Sequence, residues 1–300
     1  MVLLYLLLIA AFQSTEPYLL ILGTAQDAGY PQINCQKELC MRVRKNPELK
    51  RYVTSLAIID PKSREFWIID VTPDITEQLQ MIQNHTSHKG IPNGIFLTHA
   101  HIGHYTGLMY FGREVMSSNN LPVYIMPRMK QFLETNGPWN QLVQLNNIKL
   151  NEIQNRIPVQ LNSRISIEAF LVPHRDEYSE TVGYRITGPK KSAIFIPDID
   201  KWSKWDQSII EEIKASDLAF LDGSFYDQDE LPGRDMSEIP HPFVIESMNL
   251  LGNLSTQEKS KVHFIHFNHS NYLLDENSAQ SKQVKKSGFN LSQQSAKYEL

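Results

Sequence analysis

The stretch Leu97-Thr98-His99-Ala100-His101-Ile102-Gly103-His104 places three histidines within six residues. The apolar residues Ile95–Leu97 predict a short buried strand, and the pattern from Thr106 to Met116 predicts a helix. The histidines are therefore predicted to lie on a loop between a strand and a helix, where α/β folds place reactive groups. Because neutral imidazole is the commonest protein ligand of zinc, this spacing predicts half of a metal site.

Composition limits the class of protein. The 300 residues, of which 41% are hydrophobic and 21% charged, are enough for one large α/β domain or two small ones. A net charge of −4 argues against a nucleic-acid partner, because it offers no basic surface for the phosphate backbone. The two cysteines, Cys35 and Cys40, can form a small disulfide loop but no disulfide framework. Composition does not indicate the oligomeric state.

The amino-terminal segment has the pattern of an export signal. Residues 1–12 are apolar without a break, and polar residues and Pro17 follow them. The run is too short to span a bilayer, and no later stretch approaches that length, so we expect no integral membrane domain. The pattern predicts a signal peptide over residues 1–16 and a secreted or periplasmic protein, although the usual preceding basic residues are missing. The alternative is a first buried strand in a cytoplasmic protein.

The rest of the chain, residues 17–300, alternates strand and helix patterns. Helices are predicted at 72–84, 206–215 and 243–251, and a polar tail is predicted to end the chain. The order of elements repeats in two similar halves, each a sheet that needs a helical cover, which predicts a single four-layer αββα sandwich domain. The predicted strands are Tyr18–Leu22, Ser55–Ile59, Phe66–Asp70, Ile95–Leu97, Val123–Met126, Val159–Leu161, Ile165–Leu171, Val182–Ile186, Ala193–Ile196, Leu218–Leu221 and Val262–His266.

Polar residues stand at the carboxyl ends of three later predicted strands. His174 follows the strand that ends at Leu171, Asp198 follows Ile196, and His266 ends the last strand. Strands of an α/β sheet present their functional groups at this edge, so we expect these side chains to join the histidines of the loop.

This order of residues resembles the metallo-β-lactamase superfamily, whose hallmark is H-x-H-x-D-H followed by His, Asp and His at successive strand ends. Within it, seven blocks resemble the pyrroloquinoline quinone (PQQ) biosynthesis protein B family: Gly23–Gln32, Thr72–Ile75, His99–Gly107, Leu221–Phe225, Gly233–Met236, Pro240–His241 and His266–Asn271. The resemblance implies one or two active-site ions, zinc or iron, held by His99, His101, His174, His104, His266 and, between the ions, Asp198.

Two departures from the family pattern affect metal binding. Gly103 stands where the superfamily has Asp, so the second ion is predicted to lack a ligand, and Gly103→Asp is predicted to raise the metal content. The family's C-x-C-x-x-C structural zinc site reads Cys35, Lys37 and Cys40 here, with His269 as the late ligand. Three ligands leave one vertex open, so a structural zinc and a Cys35–Cys40 disulfide both remain alternatives.

The resemblance implies a hydrolase that uses a metal-activated water, with Asp198 and His266 as the catalytic residues. One alternative is an iron-dependent hydroxylase acting on a tyrosine-derived PQQ precursor, and another is a carrier without catalysis. The substrate is expected to be a small molecule or a modified peptide. Asp222 is predicted to orient a ligand, Arg234 to contact substrate or solvent, and His241 to reach the pocket or to face solvent.

Overall fold

The fold, taken from a computed structural model, is built around two seven-stranded sheets. The structure describes residues 15–86, 90–231, 233, 235 and 238–300. The first sheet has the order β14-β1-β2-β3-β4-β5-β6, and β3 to β6 run parallel. Its strands are β1 (Tyr18–Gly23), β2 (Ser55–Asp60), β3 (Glu65–Ile69), β4 (Gly94–Phe96), β5 (Leu121–Ile125), β6 (Ile148–Glu152) and β14 (Lys297–Glu299).

The second sheet has the order β13-β12-β11-β10-β9-β8-β7, and its strands β10 to β13 run parallel. Strands β8, β9 and β10 pair antiparallel in turn, so β8 points the same way as β10. The carboxyl ends of β8, β10, β11 and β12 therefore meet at one edge. These strands are β7 (Pro158–Gln160), β8 (Ser166–Leu171), β9 (Val182–Thr187), β10 (Ser192–Ile196), β11 (Leu218–Asp222), β12 (Val262–Ile265) and β13 (Asn290–Leu291).

Helices cover the outer face of each sheet. Short 3₁₀ helices lie at Pro47–Leu49, Thr106–Phe111, Trp202–Lys204 and Tyr272–Leu274. The α-helices are α1 (Glu38–Lys45), α2 (Ile75–His85), α3 (Ile102–Tyr105), α4 (Pro127–Thr135), α5 (Trp139–Gln144), α6 (Ile209–Lys214), α7 (Val244–Leu250), α8 (Thr256–Lys259) and α9 (Ala279–Lys286).

The layering follows from the alternation of side chains along each strand. In β1, Leu20 and Leu22 face a core shared with α2, α4 and α5, whereas Leu19 and Ile21 face the second sheet. In β10, Ala193 and Phe195 face the first sheet, and its alternate residues contact the side chains of α6, α7 and α9. The predicted four-layer αββα sandwich is confirmed.

The structure differs from the sequence-based prediction in three places. The helix predicted at 106–116 begins at Ile102 instead and becomes a 3₁₀ helix that ends at Phe111. Gly107 explains the change, because its N–H donates to the Val71 carbonyl and a Cβ there would lie 2.2 Å from the Thr72 carbonyl oxygen. Strand β6 was not predicted. The predicted polar tail contains α9, β13 and β14, and β14 is stabilised by its pairing with β1.

The amino-terminal prediction is not tested by the structure. Of the predicted signal peptide, only Thr15 and Glu16 belong to the described residues. Within the part of the chain that the structure describes, no helix combines the length and the apolar character needed to cross a membrane.

His263 on β12 is expected to make folding stability depend on pH. Its ring packs against those of Phe220 and Tyr298, and burial lowers its pKa from 6.5 to about 4. The unfolded chain therefore binds the proton more tightly, so the stabilisation present above pH 6.5 is lost as the pH falls towards 4. The free energy of unfolding should therefore fall less on acidification in His263→Leu than in the wild type, by up to about 3 kcal/mol. Urea titrations between these pH values check this, and parallel curves for the two proteins would contradict it.

Candidate metal centre

Asp70 holds the histidine loop in place. Its carboxylate follows β3 and accepts hydrogen bonds from the Thr98 N–H (2.8 Å) and the Thr98 hydroxyl (3.0 Å). The same carboxylate lies 2.7 Å from His104 Nδ1, which leaves Nε2 of that ring directed to the site. This role was not predicted from the sequence, although Asp70 stands at the carboxyl end of a predicted strand. An acid beside the second nitrogen of a metal-binding histidine fixes the orientation of the ring.

A first cluster gathers His99, His101, His174 and Asp198, with ligand atoms within 4.8 Å of one another. Asp198 lies 3.3 Å from His99 Nε2 and 3.2 Å from His174 Nε2. These two nitrogens, His101 Nδ1 and Asp198 Oδ1 are buried without a hydrogen-bond partner among the described residues. Buried polar atoms are normally paired, so four that converge without partners fit a divalent cation.

The outer nitrogens of these histidines have partners. His99 Nδ1 lies 2.9 Å from the Thr98 hydroxyl, His101 Nε2 lies 3.3 Å from Glu177, and His174 Nδ1 lies 3.2 Å from Asp200. Such contacts fix which ring nitrogen would face a bound metal.

A second cluster contains a ligand that was not predicted from the sequence. Asp27 follows β1 and joins His104 and His266, whose Nε2 atoms lie 3.1 Å and 3.7 Å from its Oδ1. The other nitrogen of His266 lies 2.8 Å from the hydroxyl of Ser224. All three site-facing atoms are buried without a hydrogen-bond partner among the described residues. The position of Asp27 after a predicted strand was the available signal.

His241 borders the pocket instead of facing solvent. Its Nδ1 lies 2.8 Å from Asp222 and 3.1 Å from Asp198. Asp222 also accepts hydrogen bonds from the backbone N–H groups of Ile199 (3.1 Å) and Ser224 (2.8 Å). It thereby orders the chain beside Asp198 and beside the serine that contacts His266. Arg234, the other residue predicted near substrate, lies outside the described residues.

The carboxylates around the site set the charges of its histidines. The pKa of Asp198 lies well below its usual value, because His174 and His241 outweigh the opposing effect of burial. Burial and the nearby His104 hold the pKa of His99 well below 6.5, so its ring stays neutral. Burial alone would lower the pKa of His104 too, but Asp70 and Asp27 raise it well above 6.5. At neutral pH Asp198 is therefore ionised and His99 neutral. Asp198 raises the pKa of His174 to about 9 against the effect of burial, so His174 and His104 would release protons on binding a cation.

A cavity of about 420 Å³ opens beside these residues. Its wall is apolar at Phe225 and Ile239 and polar at Gln26, Arg175 and Asn268, and His241 borders it. A volume in this range fits a small ligand or part of a larger one. A ligand in this cavity would lie next to the carboxylate–histidine clusters.

The cysteines form a separate cluster with His269. Both thiols are free and buried, and Cys40 Sγ lies 3.5 Å from His269 Nδ1. Burial and the neighbouring Cys35 raise the pKa of Cys40 to about 11, which disfavours the thiolate without a cation. Among the described residues this cluster has three metal-ligand side chains, one fewer than structural zinc takes. Burial lowers the pKa of His269 most, and the positive charge of the nearby Lys37 lowers it further.

Replacing Lys37 by cysteine is expected to complete this cluster. The new thiolate would supply a fourth ligand and remove a positive charge, so Lys37→Cys should hold one more zinc ion per chain than the wild type. Elemental analysis after brief dialysis against a weak chelator measures this. Lys37→Ser, which removes the charge and adds no thiol, is the control. Equal zinc in the cysteine variant and the wild type would contradict the prediction.

Comparisons with known proteins agree with this geometry. A family model described as β-lactamase superfamily domain matches residues 67–267. Coenzyme PQQ synthesis protein B of Gluconobacter oxydans is 24% identical, over 94% of this chain and 98% of its own. Zn²⁺-bound PqqB from Methylobacterium extorquens superposes with a TM-score of 0.78 at 20% identity, over 94% of this chain and 100% of that chain. A diphosphatase of the PhnP family gives 0.66 at 19% identity, over 95% and 97%.

The predicted resemblance is therefore confirmed. The matched region covers more than half of the chain and includes every residue of the first cluster and of the histidine loop. The chain belongs to the β-lactamase superfamily, and its relatives there include the coenzyme PQQ synthesis B proteins.

Proposed function

We propose that this protein is a metal-dependent hydrolase. The observation that carries the proposal is the convergence of unpaired, buried atoms from His99, His101, His174 and Asp198 beside an open cavity. These residues would hold a zinc ion, which when bound lowers the pKa of water to about 7 and polarises a substrate oxygen.

His241 and His266 have different roles in this proposal. Two carboxylates face His241 Nδ1 and raise the pKa of the ring well above 6.5 against the effect of burial, so the ring carries a proton at neutral pH. Because Nδ1 is held by Asp222, Nε2 is the atom that donates a proton to the leaving group. We assign His266 a ligand role, since its nitrogens lie near Asp27 and Ser224.

We further propose a small molecule or a modified peptide as substrate. The cavity is small, combines an apolar wall with amide groups, and carries Arg175, which suits a polar compound with an apolar body. The role of the B proteins in coenzyme PQQ synthesis supports a substrate of this size. The name of the diphosphatase neighbour is consistent with hydrolysis on this fold.

An iron-dependent hydroxylase is the second candidate. One observation favours it, because Asp27, His104 and His266 form a two-histidine, one-carboxylate set of the type that binds non-haem iron. On this alternative the substrate would be a tyrosine-derived precursor of PQQ. The metal that the protein retains distinguishes the two reactions.

Metal removal tests the proposal. We expect protein purified without added metal or chelator to contain zinc and to hydrolyse a compound from a panel of esters, lactones and phosphodiesters. Dialysis against EDTA should abolish turnover, and added Zn²⁺ should restore it. Iron in place of zinc, with oxygen consumption on an aromatic substrate, would favour the hydroxylase. Protein without metal that takes up none on reconstitution would contradict both reactions and favour a carrier.

A further inference from the structure

Gly103 stands where the superfamily hallmark has a metal-binding aspartate. The space that the aspartate side chain would occupy is taken by Asp27, from another part of the chain. A Cβ built on Gly103 would lie 2.4 Å from Asp27 Oδ1 and 2.6 Å from Asp27 Cα. Real Cβ atoms do not approach other heavy atoms this closely. The absence of a side chain at position 103 is thus what allows Asp27 to occupy its place.

The backbone around Asp27 is well anchored. Ala25 forms bridges with Val53 and Phe267, and the Gln26 N–H donates to the Phe267 carbonyl at 2.9 Å. The Gly29 N–H closes a turn on the Gln26 carbonyl at 2.8 Å. These contacts hold the Asp27 loop against the residue that follows His266. The carboxylate is therefore positioned by paired backbone and not by a free loop.

We propose that Asp27 replaces the side chain missing at position 103 and completes a second divalent-cation site with His104 and His266. The three ligand atoms lie within 4.8 Å of one another, and their unpaired oxygen and nitrogens are buried. Asp198 Oδ2 is 3.3 Å from His99 Nε2 of the first cluster and 4.0 Å from His104 Nε2 of the second. The inference rests on the proposed first metal site, because Asp198 is the ligand that both ions would share.

The proposal reverses the sequence-based expectation for position 103. The second site does not lack a carboxylate; it receives one from a position 76 residues earlier in the chain. Gly103→Asp should therefore fail to raise the metal content, because its Cβ would collide with Asp27 and two carboxylates would compete for one space. The collision includes the Asp27 Cα at 2.6 Å, so removing the Asp27 side chain does not by itself make room for an aspartate at position 103.

Metal stoichiometry tests the exchange without an activity assay. Full-length wild type and the variants Asp27→Asn and Gly103→Asp are loaded with Zn²⁺, dialysed against a weak chelator and measured for zinc per chain. Any zinc in the Cys35–Cys40–His269 cluster contributes equally to every protein, so the zinc content of each variant is compared with that of the wild type. We expect Asp27→Asn to retain one ion fewer than the wild type, and Gly103→Asp to retain no more than the wild type. Circular dichroism confirms that each variant is folded.

The outcomes separate this proposal from the proposed function. Equal zinc in Asp27→Asn and the wild type would overturn the second site, and hydrolysis by that variant would leave the first site and the function intact. A Gly103→Asp variant with more zinc than the wild type would overturn the exchange of positions. A second ion that Asp27→Asn loses, in a protein that hydrolyses nothing, would support the site and reject the function.

Discussion

Asp198→Ala is expected to lose the ion of the first cluster and to slow hydrolysis by about 10³-fold or more. Asp198 is buried between the clusters and lies within 4.0 Å of nitrogens from His99, His101, His104, His174 and His241. Without it, several imidazoles converge with no carboxylate to balance a cation. Several kilocalories per mole of charge stabilisation depend on the ion, and each 1.36 kcal/mol is a factor of ten in rate. Zinc per chain and kcat/KM, measured on the same preparation, check the prediction.

Asp200→Asn is the matched control for Asp198→Ala. Asp200 contacts His174 Nδ1 at 3.2 Å and Lys204 at 2.7 Å, so it supports a ligand without facing the ion. Loss of such a support weakens metal binding by about 10- to 100-fold and leaves the ion bound when zinc is in excess. An Asp198→Ala protein with full zinc content and turnover would contradict the assignment of the centre.

His241→Gln is expected to keep its metal and to lose about 10²- to 10⁴-fold in kcat, the range typical of a general acid. The ring borders the cavity, and Asp222 and Asp198 keep it protonated. The loss should be largest for esters with poorly acidic alcohol leaving groups. It should be small for p-nitrophenyl esters, whose leaving group departs without a proton. Rates across a series of leaving groups measure this dependence.

Asp222→Asn provides the control for the proton donor. It preserves the size of the side chain and removes the charge 2.8 Å from His241 Nδ1, so the same dependence on the leaving group should appear in weaker form. Equal losses across the whole series in the His241 variant would indicate a positioning role. Lost zinc in that variant would indicate a ligand role instead.

Much of the fold could be predicted because its signals are local. The runs around Leu20, Ile58 and Phe195 are apolar on both faces of a strand, and a strand between two layers must be buried on both faces. The errors fell where distant partners decide the structure. Strand β14 is three residues long and exists because β1 offers a free edge, and the backbone at Gly107 is set by its contact with the β3–α2 connection.

The spacing of the histidine loop and the residues after β8, β10 and β12 were enough to indicate a metal site. Covalent spacing sets which side chains leave one loop together, and parallel strands bring their carboxyl ends to one edge. These local rules predicted that the loop histidines would meet His174, Asp198 and His266, and the family resemblance implied the set His99, His101, His174 and Asp198, which the structure brings together.

Contacts between distant segments supplied the rest. The carboxylate of Asp27 enters the space left by Gly103, Asp70 turns His104, and Asp222 holds His241 against Asp198. The residues of each pair are separated in the chain. Each contact depends on the space available between packed side chains and on the pairing of buried charged groups. The spacing of residues along the chain predicts neither the available volume nor the pairing of buried charges, because excluded volume and desolvation act only once the two sheets have packed.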